Sequence, residues 1–184
     1  MDAPLRLATP ADVPAIQALI AASVRGLSTG FYSPEMVEAS LIHIFGVDTQ
    51  LVADGTYFVV DGADEPLAAG GWSARRTLYG GDQTKLGDDP RLDPGTEPAR
   101  IRAFFVHPDW GRRGLGRRLY DECERAALAA GFSELELMAT LPGEPLYRAL
   151  GFTPIESVVV TLPPDIAMGL VRMRRTLKPG ESRA

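Results

Sequence analysis

Cysteine is nearly absent from this chain: it occurs once, at Cys123, so no disulfide framework within the chain can staple the fold, and a reducing compartment is expected. Histidine occurs only at His43 and His107, and no His, Cys, Asp and Glu group has metal-ligand spacing, so no metal site is expected. Long apolar runs are missing too. The first 25 residues are interrupted by Asp2, Arg6, Asp12 and Gln17, which argues against a secretory signal, and no run approaches membrane-spanning length. A Gly-Lys-Ser/Thr triplet is missing, which excludes a P-loop. Positive charge is in the minority, 19 Lys and Arg against 24 Asp and Glu for a net charge of −5, so general nucleic-acid binding is not expected. What is there is ordinary for a soluble globular protein: 184 residues, 45% hydrophobic and 23% charged. That length fits one domain with a sizeable core, expected over residues 1–178, with a frayed tail over 179–184 and a cytoplasmic location.

The punctuation along the chain predicts its elements. Leu5 to Ala8 reads as a strand, and Thr9 or Asp12 as the cap of a helix whose Val13, Ile16, Leu19, Ile20 and Val24 recur at helical spacing. Ser33-Pro34-Glu35 opens a second helix carrying Val37, Leu41, Ile44 and Phe45 on one face. Residues 56–61 and 66–73 form a hairpin, with Gly70-Gly71 marking a bulge or a close approach. Residues 74–98, rich in aspartate and glycine, form a long loop. Residues 99–106 read as a strand, and residues 114–130 as a helix with Leu115, Leu119, Cys123 and Ala127 on its inner stripe, so that Cys123 packs rather than reacts. A strand over 133–140, a short helix before Gly151 and two antiparallel strands, 152–162 and 166–177, complete an α/β order. The predicted architecture is a mixed, mostly antiparallel sheet with helices on both faces and a parallel crossover joining 99–106 to 133–140.

One stretch stands out, Phe104 to Arg118. His107-Pro108 ends the strand, because proline has no N–H to donate to a ladder. Gly111, Gly114 and Gly116 then open a helix whose first turns hold Arg112, Arg113, Arg117 and Arg118. A helix N-terminus already carries about half a positive charge and favours carboxylates by about 0.3–1 kcal/mol. Four arginines there are explained by an anion held on free backbone N–H groups and guanidinium forks. The alternative is a plain surface helix whose Arg117 and Arg118 pair with Asp121 and Glu122 at i,i+4, the poorer order for a helix. A dinucleotide fingerprint is a further reading of the anion site: Gly114-Leu115-Gly116 supplies its first half, Glu134 or Glu136 its acid, but Leu119 stands at the third glycine.

Three pieces in order carry a resemblance. They are the opening strand with Thr9-Pro10-Ala11-Asp12; Phe104-Phe105-Val106-His107-Pro108 running into Arg112-Arg113-Gly114-Leu115-Gly116; and Leu146-Tyr147-Arg148-Ala149-Leu150-Gly151-Phe152. Over nearly its whole length the chain resembles the GNAT superfamily of acyl-CoA-dependent N-acetyltransferases. Gly111 stands where that family commonly has Gln or Arg. The resemblance implies transfer of an acetyl group from acetyl-CoA to a primary amine of a small molecule or peptide, with no metal, no membrane and a monomer or homodimer. It implies a coenzyme A pyrophosphate on the N–H groups of residues 112–117, that is Arg112, Arg113, Gly114, Leu115, Gly116 and Arg117. It implies a pantetheine arm along Phe104 and Val106, where the strands diverge after these residues, and an oxyanion donor at Phe104 or Phe105. Tyr147 falls at the family's general-acid position. A thiol near pKa 8.5 and a phenol near 10 make that proton transfer uphill by about 2 kcal/mol, so a hydrogen bond to the sulfur is the alternative role. An acyl-CoA-binding sensor without catalysis is a second functional reading on the same fold.

The general base is not identified by the sequence. Glu35, His43, Asp82 and Glu97 are the side-chain candidates, with ordered water as an alternative. His107 is expected to anchor its loop. Arg100 and Arg102 on the central strand either pair with acids on neighbouring strands or meet an acidic substrate. Residues 28–45 and 73–98 are expected to frame the acceptor site.

Overall fold

A computed structural model describes residues 3–177, so the tail expected over 179–184 lies outside the described residues. The elements are β1 (Leu5–Leu7), α1 (Val13–Leu27), α2 (Pro34–His43), α3 (Thr49–Ala53), β2 (Tyr57–Val60), β3 (Ala68–Ser73), β4 (Ala99–Val106), α4 (Leu115–Ala129), β5 (Glu134–Thr140), α5 (Glu144–Ala149), β6 (Thr153–Leu162) and β7 (Ile166–Thr176). The seven strands form one sheet in the order β1-β2-β3-β4-β5-β7-β6. Among the described residues only β4 and β5 run parallel, joined by the crossover through α4, as the glycine loop and helix periodicity predict.

The ends of the helices follow their sequence signals. Asp12 accepts hydrogen bonds from the Thr9 amide at 2.7 Å and the Thr9 hydroxyl at 2.8 Å, so both expected capping residues take part. The Ser33 hydroxyl accepts from the Met36 amide with Pro34 at the first helical position. That helix stops at His43, two residues short of the predicted apolar face, and Asp48 then caps the five-residue α3 by accepting from the Gln50 amide. Helix α3 escaped prediction because Leu51 and Val52 are too few apolar residues to show a period.

Alternation along the strands divides the core into two layers. Phe58, Val60, Trp72, Leu119, Tyr120, Cys123, Leu135, Leu137 and Tyr147 pack on the face covered by α4 and α5. Ile16, Ile20, Val37, Leu51, Tyr57, Val59 and Leu170 pack on the face covered by α1, α2 and α3. Cys123 is wholly buried and burial pushes its thiol well up, which fits packing and not reactivity.

Candidate active site

The site begins with a break in the sheet. Strands β4 and β5 pair only at Ala99 with Leu135 and at Arg100 with Glu136. The separation therefore starts several residues earlier than the divergence expected beyond Phe104 and Val106. On the other side, β4 stays paired with β3, but its register slips: Arg102 faces Gly71 and Phe105 faces Ala69, so Ala103 and Phe104 share one partner position. This bulge puts Ala103 at φ +52°, a left-handed conformation that costs a non-glycine residue about 1–2 kcal/mol. Two features hold it there. The Tyr57 hydroxyl donates to the Ala103 carbonyl at 3.0 Å, and Gly70 leaves room opposite. A Cβ on Gly70 would lie 2.6 Å from the Phe104 ring. Gly70→Ala is therefore expected to destabilise the protein by roughly 1–3 kcal/mol, read by a thermal melt.

The result is a central strand with a buried first half and a half-open second half, Ala103 through Val106. Phe104 turns toward α5, where its ring meets Tyr147 edge-on at 6.3 Å between centroids, and Tyr147 in turn meets Phe152 at 5.9 Å. Phe105 turns to the opposite face and packs edge-on against Phe45 at 6.0 Å. The Val106 amide donates to the Ser23 hydroxyl of α1 at 3.2 Å.

Tyr147 is buried to 9% exposure, and burial foremost, with Cys123 behind it, pushes its phenol above the usual range. Among the described residues its hydroxyl has no hydrogen-bond partner and is not wholly sealed from solvent. Tyr32 ties β7 to the end of β5: its hydroxyl donates to the Gly169 carbonyl at 2.7 Å and accepts from the Leu141 amide at 2.8 Å. No local pattern announces it, since both partners are more than a hundred residues away.

Beyond β4, His107 Nδ1 accepts from the Asp109 amide and fixes the turn, as expected of an anchor. Arg112 has φ +59° and Gly114 φ +83°. At Gly114 that angle favours glycine, and the chain turns there into α4. The amides of residues 112–117 have no acceptor among the described residues, whereas the Gly111 amide before them bonds to the Pro108 carbonyl and the Arg118 amide after them to the Gly114 carbonyl. Leu115 and Gly116 form the first turn, and Leu146 of α5 closes on Gly116 where a Cβ would stand 2.9 Å away. The arginines do not make the i,i+4 pairs of a plain surface helix. Arg113 lies over the Trp110 ring at 4.7 Å, Arg117 reaches the Ala149 carbonyl at 3.4 Å, Arg118 bonds to the Ala3 carbonyl, and Glu122 is taken by Arg125.

On the α2 face opposite Tyr147, a cavity of about 610 Å³ is lined by His43, Ile44, Thr77, Tyr79, residues 84–88 and residues 160–162. Of the four base candidates only His43 lines it. Glu35 is exposed at the start of α2, Asp82 accepts from the Thr49 amide at 3.0 Å, and Glu97 accepts from the Asp93 amide at 2.9 Å. Neither central arginine is free for a substrate. Arg100 bonds to Glu136 on β5 at 3.1 Å, and Arg102 bonds at 2.8 Å to Asp48, which lies before α3 and not on a strand.

Among the described residues no group of three or more His, Cys, Asp or Glu is placed to hold a metal ion, and no helix is long and apolar enough to cross a membrane. The single parallel strand pair and the bulged, split sheet set aside the dinucleotide reading, which needs a run of parallel strands.

The class these features define is an acyltransferase of mixed α/β architecture. The family model for the Acetyltransferase (GNAT) domain matches residues 53–154, more than half of the chain, and the chain belongs to the GNAT acetyltransferases. No curated protein sequence gives a match. Among solved structures, a GCN5-related N-acetyltransferase from Rhodopseudomonas palustris is similar with a TM-score of 0.70 at 22% identity, over 95% of this chain and 96% of that one. A phosphinothricin acetyltransferase from Sinorhizobium meliloti in complex with acetyl-CoA is similar at TM-score 0.63 and 21% identity, over 100% of this chain and 93% of that one. A PaiA N-acetyltransferase from Thermoplasma acidophilum in complex with coenzyme A gives TM-score 0.63 at 12% identity, over 96% and 99%.

Proposed function

We propose that this acetyltransferase moves an acetyl group from acetyl-CoA to a primary amine of a small molecule or peptide by direct attack. The observation that carries the reading is the gap between β4 and β5, with Tyr147 on one face of the sheet and the cavity on the other. Direct transfer asks for both groups to reach one thioester, because the amine adds to a face of the planar carbonyl and the sulfur then leaves as a thiolate. Acetyl-CoA supplies a thioester-activated acetyl group when bound.

The donor set fits such a ligand. Six successive amides from Arg112 to Arg117 lack acceptors, and a pyrophosphate is the kind of anion that a helix N-terminus takes up. Arg112 is exposed and makes no ion pair among the described residues, which suits it to compensate for Gly111. The open edge of β4 suits a pantetheine arm. Phe104 offers backbone groups there, whereas at Val106 the amide is occupied by Ser23 and the carbonyl is the group left. Phe105 holds the strand to the α2 side through Phe45. Tyr147 donates its hydroxyl hydrogen toward the departing sulfur. The incoming amine occupies the cavity and sheds its proton to His43 or to water; the new C–N bond forms as the C–S bond breaks.

Thermal melts with acetyl-CoA, coenzyme A and NAD(P), followed by thiol release against a panel of amines, test this. A ligand present at a hundred times its Kd stabilises by about 2.7 kcal/mol, which for this chain length raises Tm by roughly 5–10 °C. The expected result is stabilisation by acetyl-CoA and coenzyme A with amine-dependent thiol release. Stabilisation without release from any amine would identify an acyl-CoA-binding sensor instead.

A further inference from the structure

The cavity has one wall that the rest of the protein barely holds. Segment 84–88 supplies five of its lining residues. Before it, the chain is well fastened: the Gly81 amide bonds to the Ile44 carbonyl at 2.8 Å, the Asp82 amide to the Val47 carbonyl at 3.0 Å, and Arg102 donates to the Thr77 and Gly80 carbonyls, each at 2.7 Å. After it, Asp89 accepts from the Thr77 amide at 2.8 Å and from Arg75 at 2.9 Å. In between, Thr84 and Lys85 make only local turn bonds to Gly81 and Asp82, and Leu86 is fully exposed at 101%. No apolar burial holds this wall in place. What reaches inward is the Lys85 ammonium, 21% exposed, which bonds to the Asp48 carboxylate, 1% exposed, and also lies 3.5 Å from the half-exposed Asp82 carboxylate of its own turn.

Charge balance does not require that bond. Asp48 already faces Arg102, itself 1% exposed, at 2.8 Å, and the Gln50 amide at 3.0 Å. One buried carboxylate and one buried guanidinium neutralise each other, so Lys85 is a second cation on a satisfied acid. Its effect falls on the segment that carries it.

We infer that Lys85 is a positioning residue, whose bond to Asp48 latches segment 84–88 in the form that walls the acceptor cavity. This rests on the acceptor reading of the cavity given above. Asp48 is the fixed half of the latch, because its cap on α3 and its pair with Arg102 orient it before the loop arrives. Lys85 is the half that can be removed without stranding a buried charge.

The test is Lys85→Met, with Lys85→Arg as the rescue. The latch predicts hydrogen exchange at the Thr84 and Lys85 amides about tenfold or more faster in Lys85→Met, with Tm nearly unchanged. It predicts an acceptor KM raised about tenfold, with kcat and the KM for acetyl-CoA within about twofold of the parent, and recovery in Lys85→Arg. Unchanged exchange, or a fall in kcat at unchanged acceptor KM, would overturn it. If the parent protein acetylates no amine in the panel, the acceptor reading fails on its own. Faster exchange would then still support the latch, and unchanged exchange would still overturn it.

Discussion

Tyr147→Phe is expected to lower kcat about a hundredfold and to leave the KM for acetyl-CoA and the melting temperature close to the parent values. The ring does the packing, between Phe104 and Phe152, and phenylalanine keeps it. The hydroxyl has no protein partner among the described residues, so its removal breaks no internal bond. A hundredfold loss is about 2.7 kcal/mol, inside the roughly 1.5–3 kcal/mol that a hydrogen bond to a charged group contributes. Burial raises the phenol pKa further above that of a thiol, which makes full proton transfer to a thiolate more uphill than in water. The role that survives this comparison is a hydrogen bond that strengthens as charge builds on sulfur, with the final proton coming from solvent. It also predicts that kcat of the parent shows no alkaline fall from Tyr147 between about pH 7 and 10, since burial keeps the phenol protonated there. An unchanged kcat in Tyr147→Phe would remove the tyrosine from the chemistry.

The largest expected loss of stability comes from Glu136→Gln. Glu136 is fully buried and accepts from three guanidiniums: Arg100 at 3.1 Å, Arg172 at 2.8 Å and Arg174 at 2.6 Å. Arg100 keeps 12% exposure, and its Nε is already the one buried side-chain atom without a partner among the described residues. Removing the carboxylate charge strands it, and breaking a buried pair from one side costs about 3–5 kcal/mol. For a chain of this length that lowers Tm by roughly 10 °C or more, read by calorimetry. The loss also falls on the last rung between β4 and β5, so coenzyme A binding should weaken in parallel. Burial by itself would raise the Glu136 carboxyl, but the bonds from Arg174 and Arg172 and the charge of Arg100 outweigh it and hold the pKa below the ordinary value. A carboxyl lowered on folding stabilises the protein above its unfolded pKa, near 4.3, and that contribution fades as pH falls through the folded value. The parent should therefore lose stability below about pH 4, and Glu136→Gln should lose less over the same range. A parallel acid loss in both proteins would place the acid sensitivity elsewhere.

Much of the frame is legible in the chain itself. Residues 99–106 and α4 follow directly from punctuation, since His107-Pro108 cannot continue a ladder and Gly114 and Gly131 bracket a helical stripe. The arginines at the start of α4 read as the proposed anion site because they contradict the helix dipole, and a contradiction of that kind is visible without coordinates. Arg102 shows the limit. On a central strand it reads as paired or as substrate-binding, and its partner, Asp48, is 54 residues away, capping a helix too short to predict.

The sequence by itself determined the order of elements apart from α3, the buried cysteine, the glycine turn into α4 and the family motifs, because each rests on residues within a few positions of one another. Tertiary structure alone decided where β5 leaves β4, that Ala103 bulges out opposite Gly70 beneath the Tyr57 hydroxyl, and that Lys85 reaches Asp48. Those depend on contacts dozens of residues apart, and no local pattern carries them. The proposed donor side rests mostly on local chemistry; the proposed acceptor side is assembled from a distance.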